Sequence, residues 1–418
     1  MTYRSDLIFR LAEERDRTQF INLVRLSFMP TMALADVEQE WGERPLNPTG
    51  RKGWVVEDAS GDLVACYRHL AFELFFAGER FPMAGVGGVA VAIEHRGKGL
   101  AQWMLTQALK DFRDQGCLLS MLYPFQHGFY RQLGWAWMGA TQQYRVSSRH
   151  ICSFAERVNI AAYQPSQEEA LKALYDKVAI QHNGWLVREP WWWGNFFKPK
   201  GGREIYTYTE AGNLLGYVVL EFIQLEPEKK QLAVVVREWV ALTAAAYRGI
   251  LGFLGSLRNQ ITTIVWNTYP NDPFPYLLKE QQRDPALTLP AFDFNYMHQL
   301  GLLSGGFMWR LVDARKAIAQ RPIQPVAPFA LTFHITDPVF GAEQFTVECD
   351  DGVMQLISQP AATILKLSVD HLAQLFSGVR RSQQILWTGE LELEGDAALL
   401  AQLDAAWSTQ PPFCWDAF

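Results

Sequence analysis

The chain has 418 residues, 49% of them hydrophobic and 20% charged, with a formal net charge of −6 at pH 7. Those proportions belong to a globular protein with room for two or three cored domains. They exclude a nucleic-acid footprint, which needs a basic stripe, and no apolar run is long enough to span a bilayer. Five cysteines (Cys66, Cys117, Cys152, Cys349, Cys414) lack paired spacing, and Arg4, Asp6, Arg10 and Glu13 leave no room for a signal peptide. The expectation is a soluble cytoplasmic protein with reduced thiols, no nucleic-acid partner and no membrane association. An acidic balance of this size fits a cationic small substrate.

In chain order, Leu7 to Leu11 reads as an edge strand and Arg15 to Ser27 as a helix with Phe20, Leu23 and Val24 on one face. Met29 to Pro48, with its prolines, Trp41 and mixed charge, suits a mobile or substrate-facing segment. Trp54 to Glu57 and Leu63 to Phe72 flank a hairpin turn at Ser60-Gly61-Asp62. A strand from Val86 to Ile93 follows, then Arg96 to Ala101 in the pattern R-x-x-G-x-A. Leu100, Trp103, Met104, Ala108 and Phe112 recur at helical spacing until Gly116. A glycine-bearing turn thus carries a strand into a helix start, which aims N–H groups and the positive end of the helix dipole at one spot. Gly97 and Gly99 tolerate positive φ and close approach of an anion. Taken alone, such a turn is also a common connection, and His95 beside it fits a turn role or a contact with a ligand bound at the turn. Next come a strand at Cys117 to Tyr123, the run Phe129-Tyr130-Arg131-Gln132-Leu133-Gly134-Trp135, and a strand at Met138 to Val146.

A similar layout follows. Ser166 and Glu169 form a capping box before Leu171, Leu174, Tyr175 and Val178. Strands at Glu204 to Thr209, Leu214 to Ile223 and Leu232 to Val240 are joined by turns at Ala211 to Asn213 and Glu226 to Lys230. A helix from Thr243 to Arg258 leads to a strand at Thr262 to Trp266, and both copies finish on Tyr-Pro, at Tyr123-Pro124 and Tyr269-Pro270. This reads as an internal duplication. The second copy has Trp239 to Leu242 where the first has its glycine turn, so only the first is expected to hold pyrophosphate. Trp191-Trp192-Trp193 reads as packing, a subunit contact or an aromatic wall for substrate.

Proline-rich sequence from Arg321 to Pro328 marks a boundary. Beyond it, strands are expected at Phe329 to Thr336, Gln344 to Cys349, Val353 to Ser358 and Ala362 to Leu367, with a hairpin turn at Asp350 to Gly352. Helices are expected at Val369 to Phe376, capped by Ser368, and at Asp396 to Trp407. The last residues, Pro411 to Phe418, include three aromatics where a solvated tail would be polar, so the tail is expected to dock in a pocket.

The stretch from Val86 to Val146 resembles the acetyl-CoA core of the GNAT N-acetyltransferases. The whole chain resembles the enhanced intracellular survival (Eis) family, in which an active GNAT domain, a degenerate GNAT-like domain and a sterol carrier protein-like domain are fused. Its sharpest points are Val89-Ala90-Val91, Arg96 to Gln102, Gly128-Phe129-Tyr130 with Gly134, and Leu403 to Trp407 leading to a terminal phenylalanine. The resemblance implies an α+β fold: mixed sheets with flanking helices over residues 1–150 and 151–305, and a carrier-like α/β domain over 306–418 whose C-terminus reaches the active site. It implies that acetyl-CoA is held by backbone groups of Val89, Ala90 and Val91 and of Gly97, Lys98, Gly99, Leu100, Ala101 and Gln102, with Arg96 at the same turn and Phe125 and Gln126 lining it. Tyr130 would be the general acid and the terminal carboxylate of Phe418 the general base. A homo-oligomer, specifically a hexamer, is implied as well. Phe125-Gln126-His127, Ala417 and Pro30 depart from the family pattern, two of them where that pattern places acidic residues.

The chemistry is consistent with those roles. A phenol with a pKa of about 10 stays protonated at neutral pH and donates to a leaving thiolate. A free α-carboxylate, at about 3.3–3.7, is a feeble base in water, and burial among aromatics strengthens it. A strand N–H near Val91 would serve the carbonyl oxygen. The alternatives are a core aromatic at Tyr130 and a hydrophobic plug at Phe418. No metal-ligand spacing or nucleophile motif is present, which fits direct transfer to a primary amine: an aminoglycoside-like compound, a lysine side chain or a polyamine. The competing class is an acyl-CoA or apolar-ligand binding protein built on the carrier-like domain.

Overall fold

The computed structural model describes residues 6–138, 140–198, 201–226, 231–281, 300–350 and 352–418. The first sheet begins with β1 (Ile8–Leu11), β2 (Arg51–Glu57), β3 (Leu63–Phe76), β4 (Glu79–Val91), β5 (Leu119–Leu122) and β6 (Ala136–Trp137). It carries α1 (Arg17–Phe28), α2 (Leu34–Trp41), α3 (Leu100–Asp114) and α4 (His127–Arg131). The second sheet holds β7 (Ala140–Ser147), β8 (Ile160–Ala162), β9 (Arg203–Glu210), β10 (Asn213–Glu226), β11 (Gln231–Ala241), β12 (Ile261–Thr268) and β13 (Gly301–Gly305). Its helices are α5 (Glu168–Ala179), α6 (Pro190–Phe196) and α7 (Ala244–Ser256).

The next strand, β14 (Met308–Leu311), goes back to the first sheet, where it lies between β5 and β6. After α8 (Ala314–Ala319) comes the third sheet: β15 (Phe329–Asp337), β16 (Gly341–Asp350), β17 (Val353–Ile357), β18 (Ile364–Ser368) and β19 (Leu391–Glu394). With it go α9 (Val369–Ser377), α10 (Ser382–Trp387) and α11 (Ala398–Ala406).

A strand therefore crosses each division expected at 150 and 305. The strand read from Met138 to Val146 is Ala140–Ser147, which joins the second sheet between β13 and β12, while the short Ala136–Trp137 just before it closes the first sheet. Hydrophobic pattern alone cannot tell which sheet a strand will join. The capping box also lies elsewhere. Gln164 and Gln167 cap each other across Pro165, one short turn before α5. Glu168 and Glu169 instead meet Lys172 at 2.6 and 2.8 Å. The segment read as mobile or substrate-facing contains α2, which buries Val37. The turns expected at 227–230 and at 351 lie outside the described residues.

The two faces of the first sheet are covered differently. Met104, Leu105, Ala108, Leu109 and Phe112 of α3 bury one face against Tyr67, Ala84, Val86 and Leu122. On the other face, Phe20, Leu23 and Val24 of α1 pack on Val55, Cys66 and Ala90. The carrier-like domain continues this packing, with Phe376 stacked on Phe76 at 5.0 Å.

Arg310 of β14 pins the junction. Fully buried, it donates to the carbonyls of Leu133 and Leu311, both at 2.7 Å, and to Asp337 of the third domain at 2.6 Å. Burial works against its charge, and Asp337 opposes that loss. Removing one partner of such a pair costs about 3–5 kcal/mol, because the other is left charged and buried. Arg310→Ala is therefore expected to lower stability by about that amount in denaturant unfolding, and a change below about 1 kcal/mol would show that the pair holds little.

Candidate active site

The site begins where the first sheet splits. β4 pairs with β5 in parallel only as far as Val86 opposite Leu122, after which β5 ends and β4 runs on. On its other edge the register slips: Arg68 opposes Gly87 but Cys66 opposes Ala90, so Gly88 and Val89 bulge. Gly88 takes φ +59, which its lack of a side chain permits. The gap opens into a cavity of about 770 Å³.

Beyond the bulge the chain turns into α3. Gly97 and Gly99 both have φ +73, and a Cβ on either would meet no other protein atom within 4 Å. The turn is therefore open on the side where a bound anion would lie, facing the first N–H groups of a fifteen-residue helix. Arg96 braces this wall, its Nε 3.2 Å from the Val91 carbonyl and its Nη2 3.3 Å from Ser27 Oγ.

Tyr130 sits on α4, buried, with ring edges against Phe129 at 5.0 Å and Phe125 at 5.5 Å. Its hydroxyl has no hydrogen-bond partner among the described residues, and the side chain lines the cavity. Burial pushes the phenol further above its ordinary value, so it is protonated at neutral pH. Gly134, at φ +86, closes the turn behind it, and a Cβ there would come within 2.7 Å of Val369.

From the opposite direction the C-terminal tail enters. Asp416 is buried and accepts from Arg188 Nε at 3.0 Å and Trp192 Nε1 at 2.7 Å, while Arg188 also reaches Glu238 at 2.9 and 2.6 Å. Burial opposes the Arg188 charge, but the two carboxylates outweigh it and hold the guanidinium well above its ordinary value. The Tyr123 hydroxyl donates to the Asp416 carbonyl at 2.8 Å. Two residues on, the Phe418 ring packs on Phe72 at 5.1 Å and Tyr123 at 5.7 Å. Its carboxyl carbon would lie 3.5 Å from a Cβ on Gly87. The tryptophan run packs within the chain: Trp191 stacks on Phe72 at 5.4 Å, Trp192 holds Asp416 and Trp193 is buried.

Of the residues singled out in the sequence, Val89, Val91, Arg96, Gly97, Gly99, Leu100, Ala101, Gln102, Phe125, Tyr130 and Phe418 line the one cavity. Three do not. Ala90 alternates to the other face and is buried beside Cys66, Lys98 is exposed, and Gln126 is the exposed residue that starts α4. Sequence reading missed Gly87 and Gly88, Ser27 and Phe28, and Phe129 and Gln132. The Gly-Gly pair inside a strand was the one available signal, since glycine there marks a bulge.

Comparison with known proteins agrees with this architecture. Residues 9–138 and 184–298 each match an acetyltransferase (GNAT) domain, and residues 314–415 match a sterol carrier protein domain. N-acetyltransferase Eis of Mycobacterium tuberculosis and of Mycobacterium bovis is 23% identical over 380 residues, covering 86% of this chain and 87% of the relative. A GCN5-related N-acetyltransferase from Anabaena variabilis superposes with a TM-score of 0.82 at 20% identity, covering 99% of this chain and all of the other. Eis1 from Mycobacterium abscessus superposes at 0.77 and 20% identity, with the same coverage. Two GNAT domains followed by a sterol carrier protein domain, the first with an open cleft at its glycine turn, make this chain an Eis-like GNAT N-acetyltransferase dependent on acetyl-CoA.

Proposed function

We propose that the chain transfers acetyl directly to a primary amine, with Tyr130 as general acid and the α-carboxylate of Phe418 as general base. One observation carries the reading: an unpartnered phenol and the chain's own terminal carboxylate face a single cavity that also holds the open glycine turn. Acetyl-CoA supplies an acetyl group activated as a thioester. The residues around it would do the rest. The turn from Gly97 to Gln102 binds pyrophosphate through backbone N–H groups, with Val89 and Val91 alongside. The Phe418 carboxylate takes a proton from the ammonium of the acceptor. As the C–N bond forms and the C–S bond breaks, Tyr130 gives its proton to sulfur; the second proton of the nitrogen leaves to solvent, which reprotonates the phenolate, and the Phe418 carboxyl releases its own proton to solvent.

The second unit is proposed to bind no CoA. Its corresponding helix, α7, is capped by Thr243, whose Oγ1 accepts from the Ala246 N–H at 3.1 Å, and the strand before it carries Trp239 and Val240 in place of glycines.

Positioned acids and bases are each worth about 10²–10⁴-fold in rate. Tyr130→Phe is expected to lower kcat by about that factor while the Kd for acetyl-CoA stays put. Converting the Phe418 carboxylate to an amide keeps shape and packing and is expected to do the same. Full turnover in the amide, measured by thiol release, would make the tail a structural plug. Gly99→Val forces a β-branched residue to φ +73 and fills the open side of the turn, so calorimetry is expected to find acetyl-CoA binding lost in a protein with unchanged circular dichroism. Retained affinity would move the pyrophosphate site elsewhere.

A further inference from the structure

On β3, Arg68, Leu70 and Phe72 share one face of the strand. Phe72 touches the ring of Phe418, and Leu70 lies 3.4 Å from the Cβ position of Gly87, where the terminal carboxylate also sits. Arg68 is the next side chain along that face. Its Cγ and Cδ are 3.8 and 3.9 Å from the Cβ position of Gly88, and its guanidinium lies 4.2 Å from the centre of the Trp41 ring. Arg51, paired across the sheet with Leu70, holds its guanidinium 4.9 Å from the centre of Trp191.

Neither Arg51 nor Arg68 has a carboxylate or hydrogen-bond acceptor among the described residues, although Asp36, Glu38 and Glu40 lie on α2, the helix that carries Trp41. Arg51 Nε is buried with no hydrogen-bond partner among the described residues. Burial holds both guanidiniums below the ordinary arginine value, and like charge adds to it, from Arg44 on Arg51 and from Arg51 and Arg44 on Arg68. The buried Arg188 and Arg310 and the half-buried Arg10, by contrast, each meet a carboxylate. Aromatic faces hold a guanidinium in place but do not use its in-plane N–H donors.

We propose that the acceptor amine also carries an oxyanion, a carboxylate or a phosphate, which docks on Arg68 and Arg51 while the amine meets the Phe418 carboxylate. The inference rests on the amine-transfer reading above and narrows its substrate class. The Phe418 carboxyl carbon adjoins Gly87 and the stem of Arg68 adjoins Gly88, consecutive residues, so the pair suits a short zwitterion or the zwitterionic end of a longer molecule. Opposite charges at its two ends fix its direction in the cleft. The same arginines repel a second positive charge, which sets polyamines and aminoglycosides against the site. Local charge thereby overrides the acidic balance of the whole chain.

The test uses matched pairs with the full-length protein and acetyl-CoA: β-alanine against propylamine, O-phosphoethanolamine against ethanolamine, and spermidine as polycation. In at least one pair the oxyanion-bearing amine is expected to have kcat/KM about tenfold or more above its neutral mate, with spermidine below both. Which pair responds separates carboxylate from phosphate recognition. Arg68→Met is expected to bring that ratio toward one with the acetyl-CoA Kd unchanged. Arg51→Met, or Arg68→Lys with its charge kept but its fork lost, gives the same readout if the first variant does not fold. Neutral amines or spermidine turning over best, or a ratio that survives both methionine variants, would overturn this inference alone. No thiol release with any amine from protein that binds acetyl-CoA would overturn the amine-transfer reading and this inference with it.

Discussion

Arg188, buried between Asp416 and Glu238, is the interaction on which the position of the candidate site depends. Two charges taken out of water cost several kcal/mol each before any attraction is counted. Such a cluster is tolerated only when its geometry is nearly complete, and here it is. Arg188 lies flat against Tyr175 at 4.0 Å, Tyr217 hydrogen-bonds Glu238, and Trp192 takes an Asp416 oxygen. What the cluster supplies is register. With Asp416 fixed, only Ala417 separates it from the terminal carboxylate, so Phe418 has little freedom to leave the gap beside Gly87.

The clamp occupies the second unit's counterpart of the cleft. In the first unit the last parallel pair before the split is Val86 with Leu122, and in the second it is Val236 with Trp266. Counting on from those pairs, Glu238 falls where the first unit has Gly88, and Trp239 where it has Val89. A bulge recurs next to that position, at Arg237, since Val219 opposes Glu238 while Leu220 opposes Val236. One copy left its bulge bare and kept the space. The other filled it with a carboxylate and an indole, which hold Arg188 and pack on Trp415 at 6.1 Å. Duplication thus gave two clefts, one open and one closed on the chain's own tail.

Much of the first unit was legible because its signals are local. A strand, a glycine turn and an amphipathic helix in sequence leave few geometries, and the run ending in Gly134 needs its positive φ to bring the chain back from α4. The aromatic tail was legible as a contradiction, since apolar residues at a terminus must be buried somewhere. The clamp was not. Arg188 and Asp416 are 228 positions apart, Arg188 and Glu238 are 50, and nothing in their neighbourhoods distinguishes them from surface charges. The exchange of β7 and β14 was invisible for a related reason: strand pattern reports burial, not which partner edge is free. The Ala90 side chain lies on the face opposite those of Val89 and Val91, as alternate residues of a strand do.

The third domain's part in this arrangement is mechanical. Its interior is packed with aromatic rings, Phe333 stacking on Trp407 at 6.0 Å and Phe345 lying 5.5 Å from Phe333. A cavity on its surface is lined by the charged or titratable His334, Glu343, Lys366, Glu390 and Glu392 together with the apolar Ile335, Ala342 and Leu367. The domain's tail, however, is fastened at successive points. Asn183 donates to Thr409 Oγ1 at 2.7 Å and to the Gln410 carbonyl at 2.6 Å, and its own carbonyl accepts from the Phe413 N–H at 2.8 Å. The same side chain accepts from the N–H of Ala77, in the turn between β3 and β4, at 2.7 Å. Asn183 therefore ties the tail to the hairpin whose second strand forms the bulge, and Arg188 ties it again three residues beyond Phe413. A carboxylate at the chain's very end is placed only by what holds the residues before it. The first unit contributes the cavity, the second the clamp and the third the tail, so the site is complete only when all three have packed.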